Sequence, residues 1–189
     1  PPEGSPVLRA WRRPPAMSEP DGMVSGVREI PLTRGLVAIV DDADYPALAA
    51  HAWCPIRSRA GCVYARRSIW DGDKRRTIYM AREVLGVVGG RGVEVDHING
   101  NTLDNRSANL RACTHVENGR NRHRRGTRFG SRYKGVYWNK GAWIARIKDN
   151  RVVNYLGRFV DERGAVKAYN AAAKRLHGAF AYLNDLDGG

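Results

Sequence analysis

A chain of 189 residues with 42% hydrophobic side chains can build one domain or two small ones, and is not a disordered tail. Its 32 Lys and Arg against 19 Asp and Glu leave a net charge of +13, which points to a polyanionic partner. No run approaches the roughly 20 apolar residues that span a bilayer, and no charged-then-apolar leader opens the chain, so neither membrane insertion nor secretion is expected.

Three cysteines (Cys54, Cys62, Cys113) without CxxC spacing argue against a disulfide framework and against structural zinc, and fit a reducing, cytoplasmic compartment. Charge is uneven along the chain. Residues 1–94 hold 14 basic and 11 acidic side chains, whereas residues 106–158 hold 14 basic against Glu117 and Asp149 alone. So one-sided a stretch reads as a nucleic-acid footprint rather than a solvated face.

Residues 1–28 contain six of the nine prolines and little apolar periodicity, and read as a disordered leader in which Met17 or Met23 can each be a start. Residues 29–90 read as a compact α+β segment. Leu36–Val40 has the length of a strand, and Ala43–Ala50 that of a short helix. Cys62–Ala65 and Thr77–Met80 are two further strands around an Asp71-Gly72-Asp73 turn, and Ala81–Leu85 is a helical turn or two closed by Gly86. Gly89-Gly90-Arg91-Gly92 then breaks the pattern.

The string Val93-Glu-Val-Asp96-His97-Ile-Asn-Gly100-Asn101 is strand-like and ends in a turn signal. An Asn- and Asp-rich loop follows, and Leu110–Cys113 returns as a strand. Thr114-His-Val-Glu117 is a capping box that starts a helix at His115 and puts Asn118 in its first turn. Such an order can carry metal-dependent hydrolysis. Mg²⁺ takes few oxygen ligands and keeps places for water and phosphate. Asp96 and the amide oxygen of Asn118 are suitable donors, and His97 can take a proton from an attacking water. Asn109 reads as a loop brace. Asp96 and His97 are neighbours, so a regular strand would aim them at opposite faces unless the backbone leaves the extended form there. By spacing alone, the same residues also describe a plain turn-rich loop.

Asp96-His97-Ile-Asn-Gly100-Asn101, Asn109-Leu110 and Glu117-Asn118 resemble the motif of HNH endonucleases of the phage and homing type. Ile30-Pro-Leu-Thr-Arg-Gly35 and Val40-Asp-Asp42 through Tyr45 resemble their lead-in. Met80-Ala81-Arg82 departs from the resemblance, since a His often follows that Met. The resemblance implies a nuclease domain of residues 29–119 and a ββα-metal core over residues 92–125. It makes His97 the general base, Asp96 and Asn118 the ligands of Mg²⁺ or of Mn²⁺ in its place, and Asn109 structural.

Arg120–Arg132, with six arginines and two glycines, is either a helix end running into a linker (residues 120–130) or a strap along phosphates. Arg120, Arg122, Arg124, Arg125 and Arg128 are its candidate DNA contacts. Beyond it, Lys134–Trp138, Ala142–Ile147 and Val152–Leu156 are three strands separated by turns at Asn139-Lys140-Gly141 and Asp149-Asn150. Asp161 is an N-cap for an Ala-rich helix that Gly178 closes. The expected fold is therefore α+β, its last part a three-stranded antiparallel sheet packed on one helix over residues 131–184, with residues 185–189 a tail.

Tyr133-Lys-Gly-Val136, Trp143-x-Ala-x-Ile147, Tyr155-Leu-Gly157-x-Phe159 and Ala168-Tyr-Asn-x-Ala-Ala173 resemble the Apetala-two/ethylene-response-factor DNA-binding domain. By position, Lys134, Tyr137, Asn139, Arg146, Lys148 and Tyr155 fall where that family contacts DNA. Tyr137 and Asn139 stand in place of its arginines. Together the resemblances imply a DNA endonuclease whose C-terminal domain selects the site on double-stranded DNA. It would need no small-molecule cofactor, act as a monomer (a dimer being the alternative) and work at the nucleoid of a bacterial or phage-infected cell. The alternatives are a DNA-binding regulator with a non-catalytic scaffold, and an RNA-directed protein.

Overall fold

The structure, a computed structural model, describes residues 26–87, 92–122 and 130–186. The architecture is α+β, and the chain divides into two compact units, Pro1–Thr114 and His115–Gly189. Among the described residues no helix is long and apolar enough to cross a membrane.

The first unit opens with the antiparallel pair β1 (Val27–Pro31) and β2 (Val37–Asp41), joined through a 3-10 turn at Thr33–Gly35. Val27 and Arg28 thus belong to a strand, correcting the inner limit of the expected leader; residues 1–25 lie outside the described residues. The short helix α1 (Tyr45–Ala49) follows. A three-stranded sheet comes next, in the order β3 (Cys54–Arg57), β4 (Val63–Asp71), β5 (Lys74–Tyr79). β4 and β5 run further than expected, into a long ribbon around Asp71-Gly72-Asp73. Helix α2 (Met80–Val84) returns the chain to the core, and the hairpin β6 (Glu94–His97) and β7 (Leu110–Cys113) completes the unit.

The core of this unit gathers Ile30, Ala38, Val40, Leu48, Trp53, Ala65, Met80, Val84 and Leu110. Trp53 donates its indole N–H to the Leu48 carbonyl at 2.7 Å, which keeps the buried polar end of the ring paired. Alternation sets which side of β2 is covered: Ala38 and Val40 are fully buried while Val37 is exposed.

In the second unit, α3 (His115–Asn121) precedes a sheet in the order β10 (Val152–Phe159), β9 (Ala142–Asp149), β8 (Val136–Asn139), backed by α4 (Glu162–His177). Both hairpin turns carry two residues at positive φ, Lys140-Gly141 and Asn150-Arg151, the geometry that follows the right-handed twist of paired strands. Asp161 caps α4 by accepting the Gly164 N–H at 2.7 Å, and Gly178 closes it at φ 53°. Ala165, Ala172 and Ala173 bring α4 close to the sheet, where Val136, Ala145, Ile147, Val166 and Tyr169 are buried with them.

Asn184 fastens the end of this unit. It accepts the Lys134 N–H at 2.6 Å, donates to the Lys134 carbonyl at 3.0 Å, and exchanges two 2.8 Å bonds with Asn170. Helix α3 starts at His115 as expected, but it belongs to this unit. The carbonyls of Arg120, in its last turn, and of Arg122, just past its end, accept from the Lys134 ammonium at 2.6 and 2.8 Å, and Arg120 pairs with Asp149 at 2.6 Å.

Candidate functional site

The β6–β7 hairpin pairs Asp96 with Arg111 and His97 with Leu110 in unbroken antiparallel register. The backbone leaves the extended form only after His97, where the Gly100 N–H returns to the His97 carbonyl at 2.9 Å and Gly100 takes φ 76°. Asp96 and His97, each 5% exposed, therefore leave the strand on opposite faces. No break in the strand precedes His97. Cross-strand pairing holds both residues extended.

Each face has its own neighbours. Arg111 donates twice to Oδ2 of Asp96, from Nε at 2.8 Å and Nη2 at 2.5 Å, in a pair largely shielded from water. His97 lies edge-on to Tyr64 at 6.2 Å between ring centres, and its Nε2 is 3.3 Å from Oδ1 of Asn105. Asn105 Nδ2 donates to the Leu103 carbonyl at 3.2 Å, so Oδ1 is left to accept, Nε2 of His97 carries the hydrogen, and Nδ1 carries the lone pair. Burial pushes the imidazole below its ordinary 6.5, against the opposing pull of Asn105, Asp96 and Asp104. At pH 7 the ring is neutral, the form that can accept a proton.

The loop between the strands is tied down residue by residue. Asn109, 7% exposed, donates to the Asp104 carbonyl at 2.7 Å and accepts the Asn99 N–H at 3.0 Å. It braces two turns of the loop and does not face His97 through any of these bonds. Asp104 takes a two-pronged contact from Arg106 (2.8 and 2.7 Å) and a third bond from Asn99 at 2.9 Å. The Arg106 guanidinium, first among these, holds the Asp104 carboxyl below the usual carboxylate range. Outside the loop, β2 exchanges backbone bonds with Leu103 and Asn105, and Asp41 accepts the Ser107 N–H at 2.7 Å.

Asn118 lies in the first turn of α3 and so in the second unit. Among the described residues no group of three or more His, Cys, Asp or Glu side chains can hold a metal. The sequence reading passed over Asn105, Arg111 and Tyr64. Only the strand register reveals Arg111, and only the fold brings Tyr64 to His97.

Of the expected DNA contacts, Tyr137, Asn139, Arg146, Lys148 and Tyr155 share the face of the second unit's sheet that α4 leaves uncovered. Tyr137 is opposite Ile144, Tyr155 opposite Arg146, and Asn139 opposite Ala142. The Arg146 guanidinium stacks over the Tyr137 ring at 4.8 Å, and Tyr155 is 62% exposed. Two further expected contacts, Lys134 and Arg120, also make bonds inside the unit. Lys134 caps α3, where burial and then the Arg122 charge bring it down to about 8, and Arg120 is paired with Asp149. Arg122 presents its carbonyl to Lys134, while Arg124, Arg125 and Arg128 lie outside the described residues. A cleft of about 840 Å³ in this unit is lined by Val116, Arg120, Lys134, Arg146, Lys148 and His177 among others, with no residue of the His97 hairpin.

Sequence comparison bears on the His97 hairpin directly. Residues 79–120 match the HNH endonuclease family model. The HNH match takes in Asp96, His97, Asn109 and Asn118 together, along with Arg111 and Asn105. An uncharacterized HNH endonuclease of Acanthamoeba polyphaga mimivirus is 31% identical over 96 residues, 50% of this chain and 49% of that protein. A protein of Oryza sativa subsp. japonica described as AP2/ERF and B3 domain-containing is 44% identical over 59 residues, 31% of this chain and 19% of that protein. The chain thus spans about half the length of one relative and about a fifth of the other.

Proposed function

We propose that this chain is a divalent-metal-dependent endonuclease that hydrolyses phosphodiester bonds of double-stranded DNA at a site chosen by its C-terminal unit. The observation that carries the reading is the neutral, buried His97 held through Nε2 by Asn105, inside the stretch that matches HNH endonucleases. The Asn105 contact fixes the tautomer, so Nδ1 is the nitrogen that receives a proton from water. The braced loop fixes where that nitrogen sits, which matters because general-base catalysis requires hydrogen-bond reach.

The donor set is compatible with Mg²⁺ or Mn²⁺: one carboxylate (Asp96) and one carboxamide oxygen (Asn118), hard ligands that leave places for water and phosphate. When bound, such an ion supplies charge stabilisation at the phosphate and the departing oxygen. Tyr137, Asn139, Arg146, Lys148 and Tyr155 form a cationic and aromatic face of the kind a sheet presents to the major groove. Cleavage near the chain's own gene, as in homing, belongs to this proposal.

One observation favours the alternative, a DNA-binding regulator with a non-catalytic scaffold: the Asp96 carboxylate is committed to Arg111. Incubation with supercoiled plasmid separates the two. The nuclease converts it to nicked or linear DNA with Mg²⁺ or Mn²⁺ and not with chelator. A chain that binds the plasmid and leaves it intact with every divalent metal is the regulator.

A further inference from the structure

The β4–β5 ribbon of the first unit has two chemically unlike faces. In antiparallel pairing, residues opposite one another share a face, so Arg66 and Tyr79, Ser68 and Thr77, and Trp70 and Arg75 lie on one side. Arg67 and Ile78, Ile69 and Arg76, and Asp71 and Lys74 lie on the other. Two of the three cations on the second face are paired within the fold: Arg67 makes a two-pronged pair with Glu83 at 3.0 Å, and Arg76 pairs with Asp71 at 2.6 Å.

On the first face neither Arg66 nor Arg75 has a carboxylate partner among the described residues. Arg66 Nε is moreover buried without a hydrogen-bond acceptor. Trp70, opposite Arg75, is 73% exposed, far more than an indole needs to be in a folded unit. Tyr64 continues this face inward, packing edge-on against Tyr79 at 6.1 Å and against His97 at 6.2 Å. The face is therefore a continuous track from His97 through Tyr64, Arg66, Ser68 and Thr77 to Trp70 and Arg75. Six residue steps from Tyr64 to Trp70 at about 3.3 Å give the ribbon part a reach of about 20 Å.

We propose that this face of the ribbon is a second binding surface for double-stranded DNA, in addition to the sheet of the second unit. The inference rests on the nuclease reading for its ligand and on the charge asymmetry of the ribbon for its place. A two-stranded ribbon fits the major groove. The exposed Arg75 guanidinium takes a phosphate as its acceptor, and the exposed Trp70 indole offers apolar contact to sugars or thymine methyls. A reach of about 20 Å corresponds to about six base pairs, at 3.4 Å per step along one strand. The ribbon thus follows the duplex for about six base pairs beyond Tyr64, the residue that packs on His97.

The test measures affinity of the full chain for a duplex in chelator, where binding is read without cleavage, across a salt series. Arg75→Ala is expected to lower the log–log salt slope by about one. Trp70→Ala is expected to weaken binding about 5- to 30-fold with the slope unchanged. Arg76→Ala removes the same charge from the opposite face, and its slope should change by less than half as much. Both exposed substitutions should leave the thermal midpoint unchanged, so loss of fold does not explain the loss of affinity.

Equal effects of Arg75→Ala and Arg76→Ala mean a general charge effect and overturn the proposal. So does wild-type affinity in Trp70→Ala and Arg75→Ala, or a Trp70-dependent dimer with DNA affinity intact. These results leave the nuclease reading standing, whereas absent plasmid cleavage with ribbon-dependent binding intact removes the nuclease reading alone. A wild-type chain that does not bind duplex DNA overturns both.

Discussion

Replacing Asn109 by Ala separates a brace from a catalytic group. The side chain makes two bonds: a buried one from Nδ2 to the Asp104 carbonyl at 2.7 Å, and a half-buried one from the Asn99 N–H to Oδ1 at 3.0 Å. Leaving the buried carbonyl unpaired costs about 1–3 kcal/mol, and losing the second bond about 0.5–1.5 kcal/mol, so Asn109→Ala should destabilise the first unit by about 2–4 kcal/mol. In a unit of this size that corresponds to a drop of about 10–25 °C in the thermal midpoint. Asn109→Asp puts an acceptor against the Asp104 carbonyl and should fall at least as far. Calorimetry reads the midpoint, and hydrogen exchange at the Asn99 amide reads the loop. An unchanged midpoint with slow Asn99 exchange would refute the brace. Lost cleavage at full stability would instead mean that Asn109 acts on the substrate.

Three further outcomes follow from the second unit. Gly135→Ala should destabilise it by about 3 kcal/mol or more, read by denaturant unfolding. The residue sits at φ 76°, and a Cβ there would come within 2.2 Å of the Tyr169 ring and 2.5 Å of the Arg146 carbonyl. Lys134 is held at about 8 in the folded chain against an ordinary 10.5, so between those values the unfolded chain keeps a proton that the folded chain has released. Stability of this unit should accordingly rise with pH from about 8 to 10, by about 1–2 kcal/mol after allowing for solvent screening, and Lys134→Met should abolish the rise. Arg146→Ala and Lys148→Ala should each weaken duplex binding and lower the salt slope by about one, whereas Arg120→Ala, at a half-buried cation paired with Asp149, should lower it by less.

What was legible in the sequence was local. Asp161 and Gly178 marked both ends of α4 because caps are decided by the residues at the ends, and Thr114-His-Val-Glu117 placed the start of α3 for the same reason. Strand β3 passed unread because Cys54-Pro-Ile-Arg57 shows no alternation, its burial being set by β4 beside it. The β4–β5 ribbon read short because Arg66-Arg67 and Lys74–Arg76 interrupt the apolar pattern. They fit in a strand because the ribbon divides its cations between two faces and pairs Arg67 with Glu83 and Arg76 with Asp71. In the site, Asp96 and His97 were visible as residues, but their partners were not. Arg111 meets Asp96 through strand register, Asn105 meets His97 through the fold of the loop, and Tyr64 arrives from 33 positions upstream. Lys134 and Arg120 show the converse: a charge count treats every cation as outward, and packing turned these two inward.

The central claim is that His97 is the group that takes the proton from water. Single-turnover cleavage of a defined duplex, with the chain in excess and Mg²⁺ present, should fall at least 100-fold in His97→Ala while duplex affinity in chelator stays within about twofold of wild type. Cleavage by His97→Ala at the wild-type rate would contradict it.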